Sequence, residues 1–208
     1  MLLFKLTVLL GAGLITSVSA EGSSLYAGDY LAAGFGARGM ALGGAYAALA
    51  TDAAAPAYNP AGLAFAGHFG GLFMHSSRFA GLVNYDTLCG FWTPDEAAGS
   101  FALSWVRTGY DDMKLTRWGE DGRPEVYDVV DSTSNAFQLT YARVLLEGLS
   151  AGATLRYLYD DLVPDTAEIG AVTADGFGFD VGVLWRLTET AALALVLHDP
   201  YTVKNWSN

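Results

Sequence analysis

A two-residue alternation constrains this chain most, and it is clearest over residues 177–187, FGFDVGVLWRL. Phe177, Phe179, Val181, Val183, Trp185 and Leu187 share one parity, and Gly178, Asp180, Gly182, Leu184 and Arg186 the other. Successive strand side chains point to opposite sides of a sheet, so this segment reads as a β-strand with one greasy face and one small or charged face. Residues 151–159 set Ala151, Ala153, Leu155, Tyr157 and Tyr159 against Gly152, Thr154, Arg156 and Leu158. Residues 136–142 set Phe137, Leu139 and Tyr141 against Gln138 and Thr140, and residues 191–198 set Leu193, Leu195 and Leu197 against Ala192, Ala194 and Val196. Residues 101–107 set Phe101, Leu103 and Trp105 against Ala102, Ser104 and Val106. Upstream, Val83, Tyr85, Thr87, Cys89 and Phe91 oppose Asn84, Asp86, Leu88 and Gly90. Residues 68–75 form a weaker first strand, because Leu72 and Met74 interrupt its polar side. Seven strands are expected.

Both soluble β-sandwiches and membrane barrels alternate in this way. A sandwich turns its second face to water and fills it with Lys, Glu and Thr. Here the second face is largely Gly, Ala and Ser with isolated charges. Charged residues are 16% of the chain, against about 25% in ordinary soluble domains. Yet beyond residue 20 no apolar run reaches the roughly 20 residues that a spanning helix needs. Apolar composition without apolar segments is the mark of transmembrane strands. The expected fold is therefore all-β: an antiparallel transmembrane β-barrel with an N-terminal hatch or plug segment. An exported soluble β-sandwich with a structural or binding role is the alternative. Aromatic residues near strand ends (Phe91 with Trp92, Trp105, Tyr157 with Tyr159, and Trp185) fit interfacial girdles.

The connections agree with a barrel. Residues 108–132 and 160–174 are long and polar, whereas the turns near 93–98, 145–149 and 188–190 are short. Outer-membrane barrels have long external loops and short periplasmic turns. If residues 21–67 begin on the periplasmic side, strands three and five end outside, where the long loops are expected. The short connection at 76–78 is the one discordance. Strand seven runs outward, and 199–208 are expected to enter an external loop. Bacterial barrels usually close with an even number of strands, and an open edge in lipid leaves backbone groups unsatisfied. Residues 68–208 are thus expected to be a partial barrel, from a truncated sequence or from a chain that closes only through self-association.

Residues 1–20, MLLFKLTVLLGAGLITSVSA, carry one charge, Lys5, then an apolar stretch from Leu6 to Ile15 and small residues at Val18-Ser19-Ala20. This reads as a signal peptide cleaved after Ala20. The stretch is too short to span a bilayer as a helix. The leader implies export without distinguishing periplasm, cell surface and outer membrane; joined to the barrel reading, it makes the cell outer membrane the expected location.

A glycine-rich block follows. It contains Gly36-Ala37-Arg38-Gly39, Leu42-Gly43-Gly44-Ala45-Tyr46, Asp52 and Tyr58-Asn59-Pro60-Ala61-Gly62-Leu63. Gly43 and Gly44 are expected to allow close backbone approach, and Gly62 to take a positive φ. Pro60 pushes Asn59 toward extended backbone, and the Asn59 side chain is placed to accept from a following amide. A short helix over 39–50 is expected from its Ala and Leu content. The glycines do not form a dinucleotide fingerprint. Together these motifs closely resemble the start of the PorV/PorQ family of outer-membrane proteins, within the wider group of the fatty-acid transporter FadL. Leu155-Arg156-Tyr157 and the strand from Gly176 to Leu184 also look like that family, so the resemblance covers about residues 30–200. It implies a hatch inside the lumen over residues 21–67 and a non-enzymatic barrel of about fourteen strands, of which residues 68–208 are about half, that assists protein secretion or surface attachment. Secretion-system proteins or secreted cargo are then its partners. The FadL side of the resemblance implies instead the passage of hydrophobic small molecules.

Catalysis finds little support. His68, His75 and His198 lack metal-site spacing. Cys89 is a lone cysteine on an apolar strand face, expected to be an inert hydrophobe. Asp111, Asp112, Asp121, Asp128 and Asp131 form an acidic stretch in which a weak divalent-cation site is one reading and a solvated loop the other. No nucleophile–base set stands out, so neither an enzyme nor a cofactor is expected. A net charge of -11 argues against nucleic acid, and the barrel reading makes outer-membrane lipid the expected surroundings.

Overall fold

The structure, a computed structural model, describes residues 28–95, 97–163 and 170–207, so the expected signal peptide lies outside the described residues. Strands account for 62% and helix for 13%, in one antiparallel sheet curled into an open half-barrel. The strands are β1 (Phe69–Arg78), β2 (Val83–Trp92), β3 (Ser100–Trp118), β4 (Pro124–Leu146), β5 (Leu149–Val163), β6 (Val172–Thr188), β7 (Ala191–Leu197) and β8 (Thr202–Ser207). Sequence neighbours pair from β1 through β7, the simplest route for antiparallel strands joined by hairpins.

The last position differs from expectation. β7 pairs with β6 from Val181 to Thr188, and β8 pairs with the same edge of β6 from Thr173 to Gly178. Residues 199–208 were expected to form a loop. Instead, β7 and β8 form one broken ribbon with a kink at residues 198–201, where Asp199 takes φ 51. The seven expected strands thus correspond to seven ribbon positions and eight strand segments.

The expected long loop at 108–132 is also strand. β3 and β4 stay paired from Ser100↔Ala142 out to Trp118↔Pro124, with a register shift at Asp111-Asp112. Tyr110, Thr116, Trp118, Val126, Tyr127 and Val129 are good strand formers even among acidic neighbours. Charge marks this segment as solvated but does not stop the ladder. Similarly, β5 runs on to Val163 and β6 starts at Val172.

One sheet face is covered by the N-terminal segment, and the other is bare. On the bare face Phe73, Leu103, Leu139, Leu155, Phe177 and Leu195 are all at least half exposed. The covered face carries Ala102, Ser104, Val106, Ala136, Gln138, Thr140, Thr154, Leu158 and Asp180, all buried. The apolar parity expected in β3 to β7 is the bare one. In β2 it is reversed: Tyr85, Cys89 and Phe91 are buried beneath the N-terminal segment, while Asp86, Leu88 and Trp92 face outward. Leu72 and Met74 likewise pack on the covered side, which is why β1 shows no polar face.

Phe35, Tyr46, Ala50, Ala54, Tyr58 and Leu63 form the core of the N-terminal segment with those β2 residues. Burying a side chain such as Phe35 or Leu63 stabilises the packing by about 1.5–3 kcal/mol. The segment contains α1 (Ala37–Ala41), α2 (Ala55–Tyr58) and a 3-10 turn (Pro60–Phe65). The expected helix over 39–50 stops at Ala41, because Gly43 and Gly44 take φ 63 and 84.

Candidate functional site

The motif Asn59-Pro60-Ala61-Gly62 is the fastener between the N-terminal segment and the sheet. Asn59 is extended (φ -161, ψ 105), as its position before proline demands. Its Oδ1 accepts from the Ala61 amide at 3.0 Å. Its Nδ2 donates to the Ala47 carbonyl at 3.0 Å and to the Val183 carbonyl of β6 at 3.2 Å. Ser150 of β5 donates from Oγ to the Ala61 carbonyl at 2.8 Å. Asn59 and Ser150 are both fully buried, so these bonds satisfy groups that water does not reach.

Glycines make the landing place. Gly152 and Gly182 are partners across β5 and β6. A Cβ on Gly152 would stand 2.6 Å from the Ala61 nitrogen, and one on Gly182 would overlap Asn59 Oδ1. The sheet is therefore bare backbone where the motif sits. Gly62 corrects its sequence reading: it is not among the positive-φ glycines, and a Cβ there would overlap the Ala50 carbonyl oxygen. Gly43 and Gly44 correct theirs in the opposite sense. They need positive φ, and a Cβ on either meets nothing within 4 Å.

A second cluster joins Arg38 to Asp52. Asp52 Oδ1 accepts from the Ala54 amide at 2.9 Å, and Oδ2 accepts from Tyr46 Oη at 2.7 Å. Arg38 Nη1 lies 3.7 Å from Asp52 Oδ2, and its guanidinium lies 5.7 Å from the centre of the Tyr46 ring. The Arg38 side chain is 74% exposed, so this ion pair adds little. Tyr46 packs edge-on against Tyr58 with ring centres 5.3 Å apart. A Cβ on Gly39 would run into the Tyr58 ring, and one on Gly36, at the start of α1, would stand 3.0 Å from Ala54 Cβ.

Burial, the bond to Asp52 and that carboxylate's charge push the Tyr46 phenol up to about 12. The free phenol titrates near 10. A folded value above the unfolded one means that Tyr46 stabilises fully below about pH 10, and that this is lost as pH rises toward 12. Tyr46→Phe is expected to cost about 1.5 kcal/mol below pH 10. The difference from wild type should shrink above that pH, measured by denaturant unfolding across an alkaline series. A difference constant up to pH 12 would refute the assignment.

A third cluster lies beneath the N-terminal segment and was only partly visible in the sequence. Asp180 of β6, 1% exposed, pairs with Arg156 of β5 and accepts the Asp199 amide at 2.8 Å. His198 Nδ1 lies 3.6 Å from Asp180 Oδ2, and Lys204 of β8 pairs with the buried Asp160. These groups hold the kink between β7 and β8. Arg156, Asp180 and His198 also form one wall of a cavity of about 430 Å³, whose other wall includes Leu31, Phe35, Pro56 and Tyr58. Tyr58 Oη and Arg156 Nε are buried without a hydrogen-bond partner among the described residues. The alternation exposed Asp180 and Arg156 as isolated charges. Nothing in it signalled that His198 and Asp199 would meet them.

The remaining candidates fall apart. Among the described residues, no group of three or more His, Cys, Asp or Glu is placed to hold a metal ion. Instead, Asp111 of β3 accepts from Asn84 of β2, Asp131 of β4 accepts from the Asp112 amide of β3, and Asp121 accepts from the Arg123 amide within the β3–β4 turn. Cys89 is buried among apolar neighbours. Comparison of the chain with protein families, with characterised proteins and with solved structures gives no match.

Proposed function

We propose that the chain is part of a non-enzymatic outer-membrane β-barrel of the PorV/PorQ type, assisting protein secretion or surface attachment. In this reading the bare face meets lipid, the covered face lines the lumen, and residues 21–67 are the hatch. The observation that carries it is the sidedness of the sheet. Phe73, Leu103, Leu155, Phe177 and Leu195 share one uncovered face across β1 to β7, an apolar surface far beyond a monomer's usual patch. A soluble sandwich buries such a face against a second sheet. The seat of Asn59 and Pro60 on Gly152 and Gly182 supports the hatch, because it docks the N-terminal segment by a dedicated fit. The glycine-rich block favours the PorV/PorQ branch, and the extended acidic hairpin of β3 and β4 offers a surface for protein partners.

A second reading, a FadL-like transporter of hydrophobic small molecules, is favoured by the cavity between Phe35, Tyr58 and Arg156. Crosslinked purification from native membranes, with lipid extraction of the same sample, separates the two. A secretion-system protein or cargo crosslinked to the chain supports the first. A stoichiometric hydrophobic ligand without a protein partner supports the second. Detergent-dependent extraction from the outer membrane is expected in both cases, and recovery in the soluble periplasm would sink the barrel.

A further inference from the structure

The bare face carries a few charges, and one of them, Arg143, stands at the end of an apolar groove. Arg143 of β4 is exposed and has no ion-pair partner among the described residues. Arg107, on the same face, is answered: it lies 3.4 Å from Asp86, which also accepts His75 Nδ1 at 2.6 Å. Arg143 stands in one row with Ala151, Val183 and Leu195 across β4 to β7. The next row is Tyr141, Ala153, Val181 and Leu197. Ala151 and Ala153 are the small members of these rows. They floor a groove of about 570 Å³ along β5, flanked by Tyr141 and Arg143 on one side and by Val181 and Val183 on the other. The groove is apolar along its length and cationic at the end nearest the β4–β5 turn.

Resting on the membrane reading above, we propose that this groove holds one anionic glycerophospholipid, with its phosphate on Arg143 and an acyl chain along Ala151 and Ala153. A guanidinium on a lipid-facing surface is costly unless it reaches an anion, and its planar donor fork matches phosphate oxygens. The β4–β5 turn joins strands at the end assigned to the periplasm, where Arg143 lies close enough to the turn to meet headgroups. Charge complementarity thus selects an anionic lipid, and the small floor of Ala151 and Ala153 gives its chain a place beside the guanidinium.

The test uses the full chain, extracted in detergent and reconstituted with phosphatidylglycerol or with phosphatidylcholine. Native mass spectrometry after detergent washing is expected to retain one phosphatidylglycerol per chain and no phosphatidylcholine. Arg143→Gln should weaken that retention about tenfold, the loss of one charge-assisted contact. Ala151→Leu, which fills the floor and leaves the charge, should weaken it as well. Inorganic phosphate at matched concentration should not compete, and competition would overturn the lipid in favour of a free anion site. Equal retention by wild type and both variants would overturn the site while leaving the membrane reading intact. A chain that stays soluble without detergent would overturn the membrane reading itself.

Discussion

Gly62→Ala is expected to lift the 3-10 turn Pro60–Phe65 from the chain at Ala50 and to cost about 3 kcal/mol, the upper end of overpacking. The added methyl overlaps a backbone oxygen, so no side-chain rotation relieves it. Relief requires moving the turn, and the turn is tied to β5 by Ser150 and to β6 by Asn59. Those buried bonds are strained or lost with it, leaving carbonyls at Ala47, Ala61 and Val183 short of donors. Gly43→Ala is the control. It meets no atom and pays only the left-handed backbone cost, about 1–2 kcal/mol. Denaturant unfolding gives the two stabilities. Hydrogen exchange over residues 46–65 reports whether the loss is local to the fastener. Equal effects of the two substitutions, or unchanged exchange in Gly62→Ala, would refute the steric account.

The swapped roles of these glycines show where sequence reasoning stops. A glycine letter records that a side chain is excluded, but two different demands exclude it. At Gly43 and Gly44 the backbone turns left-handed, whereas at Gly62, Gly152 and Gly182 another backbone or the Asn59 side chain occupies the space. Only the three-dimensional neighbours separate those cases. The strands were legible because β3 to β7 put large apolar groups on one parity and small or polar groups on the other. β2 defeated that rule, since apolar Tyr85, Cys89 and Phe91 pack under the N-terminal segment while Asp86 on the opposite face is satisfied by His75 and Arg107. Alternation reveals that two faces differ and leaves open which one another element covers. The Asn59 turn was legible because proline and asparagine act on their immediate neighbours. The Asp180 cluster was not, because its partners arrive from β5, from the kink after β7 and from β8.

That cluster gives the largest expected effect. Asp180→Ala should cost about 3–5 kcal/mol, the range for removing one partner of a buried ion pair. Arg156, with a side chain only 7% exposed, is left without its closest carboxylate; Asp199 Oδ1 at 4.0 Å is a longer contact. The Asp199 amide loses its acceptor in the same step, and the kink that seats β8 on β6 loses its anchor. Hydrogen exchange should therefore rise first in Thr202–Ser207 and in the Thr173–Gly178 stretch of β6, while β2 and β3 stay protected. The double substitution Arg156→Met with Asp180→Leu should recover much of the global loss, because apolar pairs of similar size often replace a buried ion pair without penalty. It should not restore protection of β8, which depends on the Asp180 carboxylate accepting the Asp199 amide. This split separates the cost of an unpaired charge from the role of Asp180 in holding the strand break. A double variant with β8 as protected as wild type would assign Asp180 to charge neutralisation alone, and an Asp180→Ala protein of unchanged stability would refute the buried pair.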